Sequence, residues 1–194
     1  MKTNMSGSAL FMYIVIFLCI LLAATGLCVY YTGVWTHAAV LWTGITTFTI
    51  LYHFGGRILL GKLTLHLPLN HQHFWFREKR FERRLYKLLR VRKWKEKVLT
   101  FDPDAFDLSK HTYEELVNTM TKAETDHWIN ELLSLTTLLF ALLWGHFWLF
   151  FGTAVTAMLF DAQFIVVQRY NRPVLLRVIA GKKAREEKRA ALHT

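Results

Sequence analysis

The chain has 194 residues, 53% of them hydrophobic, with seven Trp, fifteen Phe and a formal net charge of +10. That balance suits one compact membrane domain better than two soluble ones. The charge is local: residues 57–97 hold thirteen Lys and Arg against three Glu, a net +10, and the rest of the chain cancels. One basic segment beside apolar runs points to anionic lipid head groups or an anionic soluble partner, and away from nucleic acid.

Residues 9–31 form an uncharged run of 23 residues. About 20 apolar residues cross the hydrocarbon layer. The run is too long for the core of a cleaved signal peptide and is expected to be a permanent span. Cys19 and Cys28 lie on it, about 14 Å apart by helical rise, too far to bridge. A second span is expected over residues 34–54, entered at Thr32 and Gly33 and ended by Gly55 and Gly56. The short link makes the two an antiparallel hairpin. In "RILLGKLTLHLPLN", Pro68 and Asn70 end any helix. His66, His71 and His73 follow closely and read as interface residues, with metal ligation the lesser reading.

From residue 74 to 99 the pattern is helical. Phe74, Phe81, Leu85, Leu88, Val91, Trp94 and Val98 recur at steps of three, four or seven, and Arg80, Arg84, Lys87, Arg90 and Lys97 fall on other faces. This predicts a basic amphipathic helix lying in the membrane interface. "FDPDAFDLS" is a loop. Ser109 or Thr112 caps the next helix, with Glu114 and Glu115 in its first turn, and that helix is expected to end near Trp128. Residues 128–167 are forty mostly apolar positions. They predict two short antiparallel spans, 128–144 and 147–167, turning at Gly145.

The expected architecture is therefore all-α: one integral membrane domain over residues 1–194. It has four transmembrane helices, an interfacial segment over residues 57–127 and a basic tail over 169–194. Fifteen Lys and Arg lie in residues 57–122, eight at or after Arg169, and Lys2 completes the 24. Four spans with both termini in the cytoplasm put every one of them inside.

Two polar clusters lie at the expected cytoplasmic ends of the last spans. In "KAETDHWINE", Glu124, His127 and Glu131 share one helix face. A carboxylate that orients an imidazole raises its basicity, which makes His127 a general base with Glu124 as orienter. The alternatives are the wet polar end of a helix entering the membrane, or one Glu-x-x-His metal pair. In "VVQRYNRP", Gln168, Arg169, Tyr170, Asn171 and Arg172 supply many donors, as an anionic head group or a developing oxyanion requires. Pro173 is expected to stop the helix there. A snorkelling anchor would need the arginines but not Gln168 or Asn171. Asp161 sits some six residues from the wet end of its span, where an acid costs roughly 2.5–3.5 kcal/mol. It is expected to pair with a polar group of a neighbouring span, such as His53. The chain has no G-x-S-x-G elbow, Walker loop or H-E-x-x-H motif.

Three stretches occur in the order and at the separations of one family: "FERRLYKLLRVRKWKEKVL" (81–99), "KAETDHW" (122–128) and "VVQRYNRP" (166–173). Over residues 74–175 the chain resembles the bacterial glycosyl-4,4'-diaponeurosporenoate acyltransferases, which finish staphyloxanthin-type carotenoids. The resemblance implies transfer of a fatty acyl group to a sugar hydroxyl of a membrane glycolipid at the bacterial cell membrane. It also implies an acyl-CoA or acyl carrier protein co-substrate, and no bound cofactor or metal is expected. Glu124 and His127 are then the expected catalytic residues. Trp94, Lys95, Trp128, Gln168, Arg169, Tyr170, Asn171 and Arg172 are the expected substrate-binding residues, with anionic phospholipid as a further partner. Two other functions stay open. One is a metal-dependent lipid oxidase or desaturase built on His66, His71, His73, His127 and Glu124; the other is a non-catalytic lipid-binding scaffold.

Overall fold

A computed structural model describes residues 7–98 and 102–192. Leu99, Thr100 and Phe101, the expected end of the basic helix and the start of the following loop, lie outside the described residues, as does Lys2. The described chain is helical, with no strand. Its elements are α1 (Gly7–Tyr31), α2 (Ala38–Leu63), α3 (Glu82–Leu88), α4 (Val91–Trp94), α5 (Tyr113–Thr136), α6 (Phe140–Trp144) and α7 (Phe147–Leu192). They group into two compact units. One comprises residues 1–66 and 129–159, the other residues 67–128 and 160–194.

In the first unit α1 and α2 form the expected hairpin, joined over residues 32–37 with Gly33 at φ 78°. The His37 side chain caps α2 by accepting from the Ala39 N–H at 3.2 Å. The two helices cross where Gly26 meets Gly44: a Cβ on Gly26 would stand 3.2 Å from the Gly44 Cα. Only Ala9, Cys19 and Ala23 of α1 are buried, whereas Phe11, Ile14, Phe17 and Leu21 are exposed. A core helix of a soluble protein would bury most such residues. Among the described residues two helices are long and apolar enough to cross a membrane, α1 and the apolar part of α7.

Gly55 and Gly56 do not end α2, which continues to Leu63. A Cβ at Gly56 would stand 2.6 Å from Leu133 Cδ2, so the glycine admits a neighbouring helix rather than breaking its own. The α5 helix runs past Trp128 to Thr136, so residues 128–144 are not one helix. The Thr136 and Thr137 hydroxyls donate to the carbonyls of Leu133 and Ser134, each 2.6 Å away. Such bonds to the i−3 carbonyl tighten the backbone, and a 3₁₀ turn over Thr137–Leu139 leads into α6. The reversal falls where expected, with Gly145 at φ 71° and His146 at φ 55°. Aromatic rings hold this end: Phe48 lies 5.3 Å from Phe140 and 5.8 Å from Trp144, and the Trp144 indole N–H donates to the Tyr31 hydroxyl at 3.0 Å.

In the second unit the expected single basic helix is broken. Residues 67–81 are turns and irregular backbone, α3 and α4 follow, and Arg90 between them is left-handed at φ 50°. Tyr86 and Val91 are both buried. On one continuous helix those five positions would put them about 140° apart. The break at Arg90 lets both reach the interior. Leu88, the last residue of α3, is exposed.

The expected cap at Thr112 holds. Its N–H donates to Glu115 Oε2 at 2.8 Å, and Thr112 Oγ1 accepts from the Glu115 N–H at 3.2 Å. This reciprocal pair is a capping box. Pro173 does not stop α7, which runs on to Leu192 and makes the basic tail helical. Within this unit α5 and α7 are antiparallel. Tyr113 meets Lys182, Glu124 meets Arg169 and Arg172, and His127 meets Asp161.

Candidate active site

The two polar clusters face one another across α5 and α7, in a different pairing from the one expected. Glu124 is fully buried and belongs to the arginines. Its Oε1 accepts from Arg169 Nη1 at 2.6 Å, and its Oε2 lies 2.6 Å from Arg172 Nη1. Arg169 Nε donates to Glu82 Oε1 at 2.9 Å, and Glu82 Oε2 accepts from the Tyr86 hydroxyl at 2.9 Å. Two carboxylates and two guanidiniums therefore balance in the interior, as buried charges must. Burial first, and then the bond to Glu82, raise the Tyr86 phenol above its ordinary value, so it remains a donor.

Both arginines also donate to the backbone before α3. Arg169 Nη1 donates to the Trp75 carbonyl at 3.0 Å and Arg172 Nη2 to the Phe76 carbonyl at 2.7 Å. Arg169 Nη2 reaches the Arg77 carbonyl at 3.3 Å. These two residues thus clamp an irregular segment whose carbonyls have no strand or helix to satisfy them.

His127 is held from α7. Its Nδ1 lies 2.8 Å from Asp161 Oδ1, and its ring stacks on Phe164 with centroids 4.5 Å apart and an interplanar angle of 4°. The Asp161 side chain is fully buried, and that of His127 is 21% exposed. The expected orienter, Glu124, is thus replaced by Asp161. The His53 ring, the expected partner of Asp161, has Nδ1 3.2 Å from Arg57 Nη1.

The other expected residues gather in part. Lys95 Nζ donates to Asn171 Oδ1 at 3.0 Å and lies 5.5 Å from the Tyr170 ring centroid, and Tyr170 packs edge-on against Tyr86. Trp128 packs edge-on against Trp75 at 5.6 Å. Gln168 is buried. Trp94 turns its indole N–H back to the Leu89 carbonyl at 2.9 Å. The eight positions from Asp161 to Arg169 are about 12 Å of helix axis, so the histidine pair and the ion cluster occupy successive levels of α7. Glu82 was missed by sequence reasoning. Its signal was an acid in a strongly basic segment, one helical turn before a tyrosine.

Among the described residues no group of three or more His, Cys, Asp or Glu is spaced to hold a metal ion. His66, His71 and His73 therefore lend no ligand set to the oxidase reading.

Fold and site together define a protein that is helical over its described residues, with two helices there long and apolar enough to cross a membrane, and a histidine–carboxylate pair one level along α7 from a buried ion cluster. Residues 72–181 match the family model described as glycosyl-4,4'-diaponeurosporenoate acyltransferase. That is more than half of the 194 residues, and the chain belongs to this family of acyltransferases. No curated protein and no solved structure matches the chain.

Proposed function

We propose that the protein is a membrane O-acyltransferase of carotenoid glycolipid synthesis. It moves a fatty acyl group from an acyl-CoA or acyl carrier protein thioester to a sugar hydroxyl of a glycosyl carotenoid-like acceptor. The observation that carries this is His127, a partly exposed imidazole with one nitrogen bonded to a buried carboxylate. Its other nitrogen has no hydrogen-bond partner among the described residues. An imidazole so held suits a base that takes a hydroxyl proton.

The acceptor's apolar body lies in the membrane and its sugar reaches His127. Lys95, and Asn171 further along α7, meet the anionic part of the donor, and Gln168, Tyr170, Trp94 and Trp128 flank the bound substrates. Arg169, Arg172 and Glu124 act by holding the segment around Trp75. The basic surface of residues 57–97 meets the anionic donor and anionic phospholipids. Four spans with both termini in the cytoplasm, in a bacterial cell membrane, put that surface beside the donor pool.

The test compares lipid extracts of cells expressing the wild type, H127A, H146A or no protein, by mass spectrometry. The wild type and H146A should add a fatty-acyl mass increment, and H127A should lose it by about 10²-fold or more. An increment undiminished in H127A would reject the base, and no increment from the wild type over cells without the protein would favour a scaffold.

A further inference from the structure

We infer that Asp161 is a positioning residue for the acyl transfer: it fixes the His127 imidazole so that Nε2 faces the hydroxyl to be acylated. The inference rests on the proposed role of His127 as the base.

Two independent restraints hold the ring. Asp161 Oδ1 takes Nδ1 at 2.8 Å, and Phe164, three residues on and on the same face of α7, stacks at 4.5 Å and 4°. Together they set both the in-plane direction and the tilt of the imidazole. An ionised carboxylate can only accept a hydrogen bond, so the bound Nδ1 carries the proton of the neutral ring. The lone pair is then on Nε2, which has no protein partner among the described residues. The His53 ring has the opposite character. Its Nδ1 faces the Arg57 guanidinium, which can only donate.

Glu124 cannot serve in place of Asp161. It lies one helical turn from His127, but its two oxygens are taken by Arg169 and Arg172. A buried acid in an apolar helix is costly unless paired. The α7 helix places Asp161 Oδ1 2.8 Å from His127 Nδ1.

In the transfer, the hydroxyl proton passes to Nε2 as the hydroxyl oxygen bonds to the thioester carbonyl carbon. The carbon–sulfur bond then breaks, and the departing sulfur takes the proton back from Nε2. Asp161 holds Nδ1–H through both steps and so steadies the imidazolium that forms between them.

Two measurements on the full chain in lipid bilayers test this. The first uses ¹⁵N-labelled histidine, with the His127 signals identified by their loss in H127A. At neutral pH the wild type should show a protonated Nδ1 and a bare Nε2, and D161A should abolish that preference. A bare Nδ1 in the wild type, or an unchanged tautomer in D161A, overturns the inference whatever the activity.

The second reads product formation in H127A, D161A, D161N and the H127A/D161A double variant. D161A and D161N should each lose about 10²-fold or more, and the double variant should lose no more than H127A alone. Losses that multiply would show Asp161 acting independently of His127 and overturn the inference alone. Full activity in H127A would overturn the base role and the inference with it.

Discussion

Glu124 and His127 sit three positions apart on one face of α5, yet they belong to different assemblies. Glu124 faces two guanidiniums in the interior, and removing its charge leaves Arg172 uncompensated and Arg169 with Glu82 alone. Breaking a buried ion pair by deleting one partner costs roughly 3–5 kcal/mol. Glu124→Gln should therefore lower the unfolding temperature of the detergent-solubilised protein sharply, and H127A, whose side chain is partly exposed, should lower it far less. Equal shifts in the two variants would mean that the cluster is not the stabilising element. The sequence displayed the donors of Arg169 and Arg172 but not their acceptors. Those acceptors are main-chain carbonyls of Trp75, Phe76 and Arg77, and a carbonyl leaves no mark in a residue pattern. The pairing of His127 with Asp161 was hidden for another reason. The residues are 34 positions apart, and only the register of α5 on α7 joins them.

At the scale of elements, helices end where tertiary contacts direct, and this separates what was legible from what was not. The Thr112 cap and the reversal at Gly145 are local chemistry and were readable. Gly55, Gly56 and Pro173 carry breaker signals that packing overrides, and the break at Arg90 serves two buried residues that no period of 3.6 can reconcile. The Gly26–Gly44 crossing is a contact of this kind. A Cβ on Gly44 would stand 2.9 Å from Leu27 Cγ and 3.0 Å from its backbone N. Gly44→Leu should destabilise the hairpin by about 1–3 kcal/mol from overpacking. That exceeds the roughly 1 kcal/mol that leaving glycine contributes to a helix. Thermal unfolding in detergent reads the outcome, and a higher midpoint would contradict the close approach.

The capping box adds a pH dependence. The bond from the Thr112 N–H, and then the one with its hydroxyl, hold the Glu115 carboxyl below its ordinary value of 4.5. A depressed folded value means that the contribution is complete above 4.5 and fades as pH falls through the lower folded value. Amide exchange over residues 112–116 should be faster in Glu115→Gln than in the wild type at neutral pH. The difference should close as pH falls below 4.5 and the carboxylate protonates. A constant difference would remove the carboxylate from the cap.

For the whole molecule, the family match over residues 72–181 takes in residues of both compact units, so the acyltransferase signature is not confined to one of them. Among the described residues two helices are long and apolar enough to cross a membrane. The topology proposed above goes further and puts the turns at residues 32–37 and 145–146 outside the cell, with the Asp107–Thr112 stretch inside. In a background without Cys19 and Cys28, Thr32→Cys and His146→Cys should react with an impermeant maleimide on intact cells. Ser109→Cys should react only after permeabilisation. Reaction at Ser109→Cys in intact cells would invert the orientation.

The unbroken course of α7 has a mechanical side. A proline inside a helix deletes one rung of its ladder and strains the preceding turn, at about 3 kcal/mol. Pro173 is such a joint, midway along a rod of 46 residues. Arg169 and Arg172, in the turn just before it, are bolted to Glu82, to Glu124 and to the carbonyls of Trp75, Phe76 and Arg77. The ion cluster is thus also a splint. While it is intact the turn before Pro173 is pinned, and whatever loosens it frees the basic half of α7 to swing about Pro173.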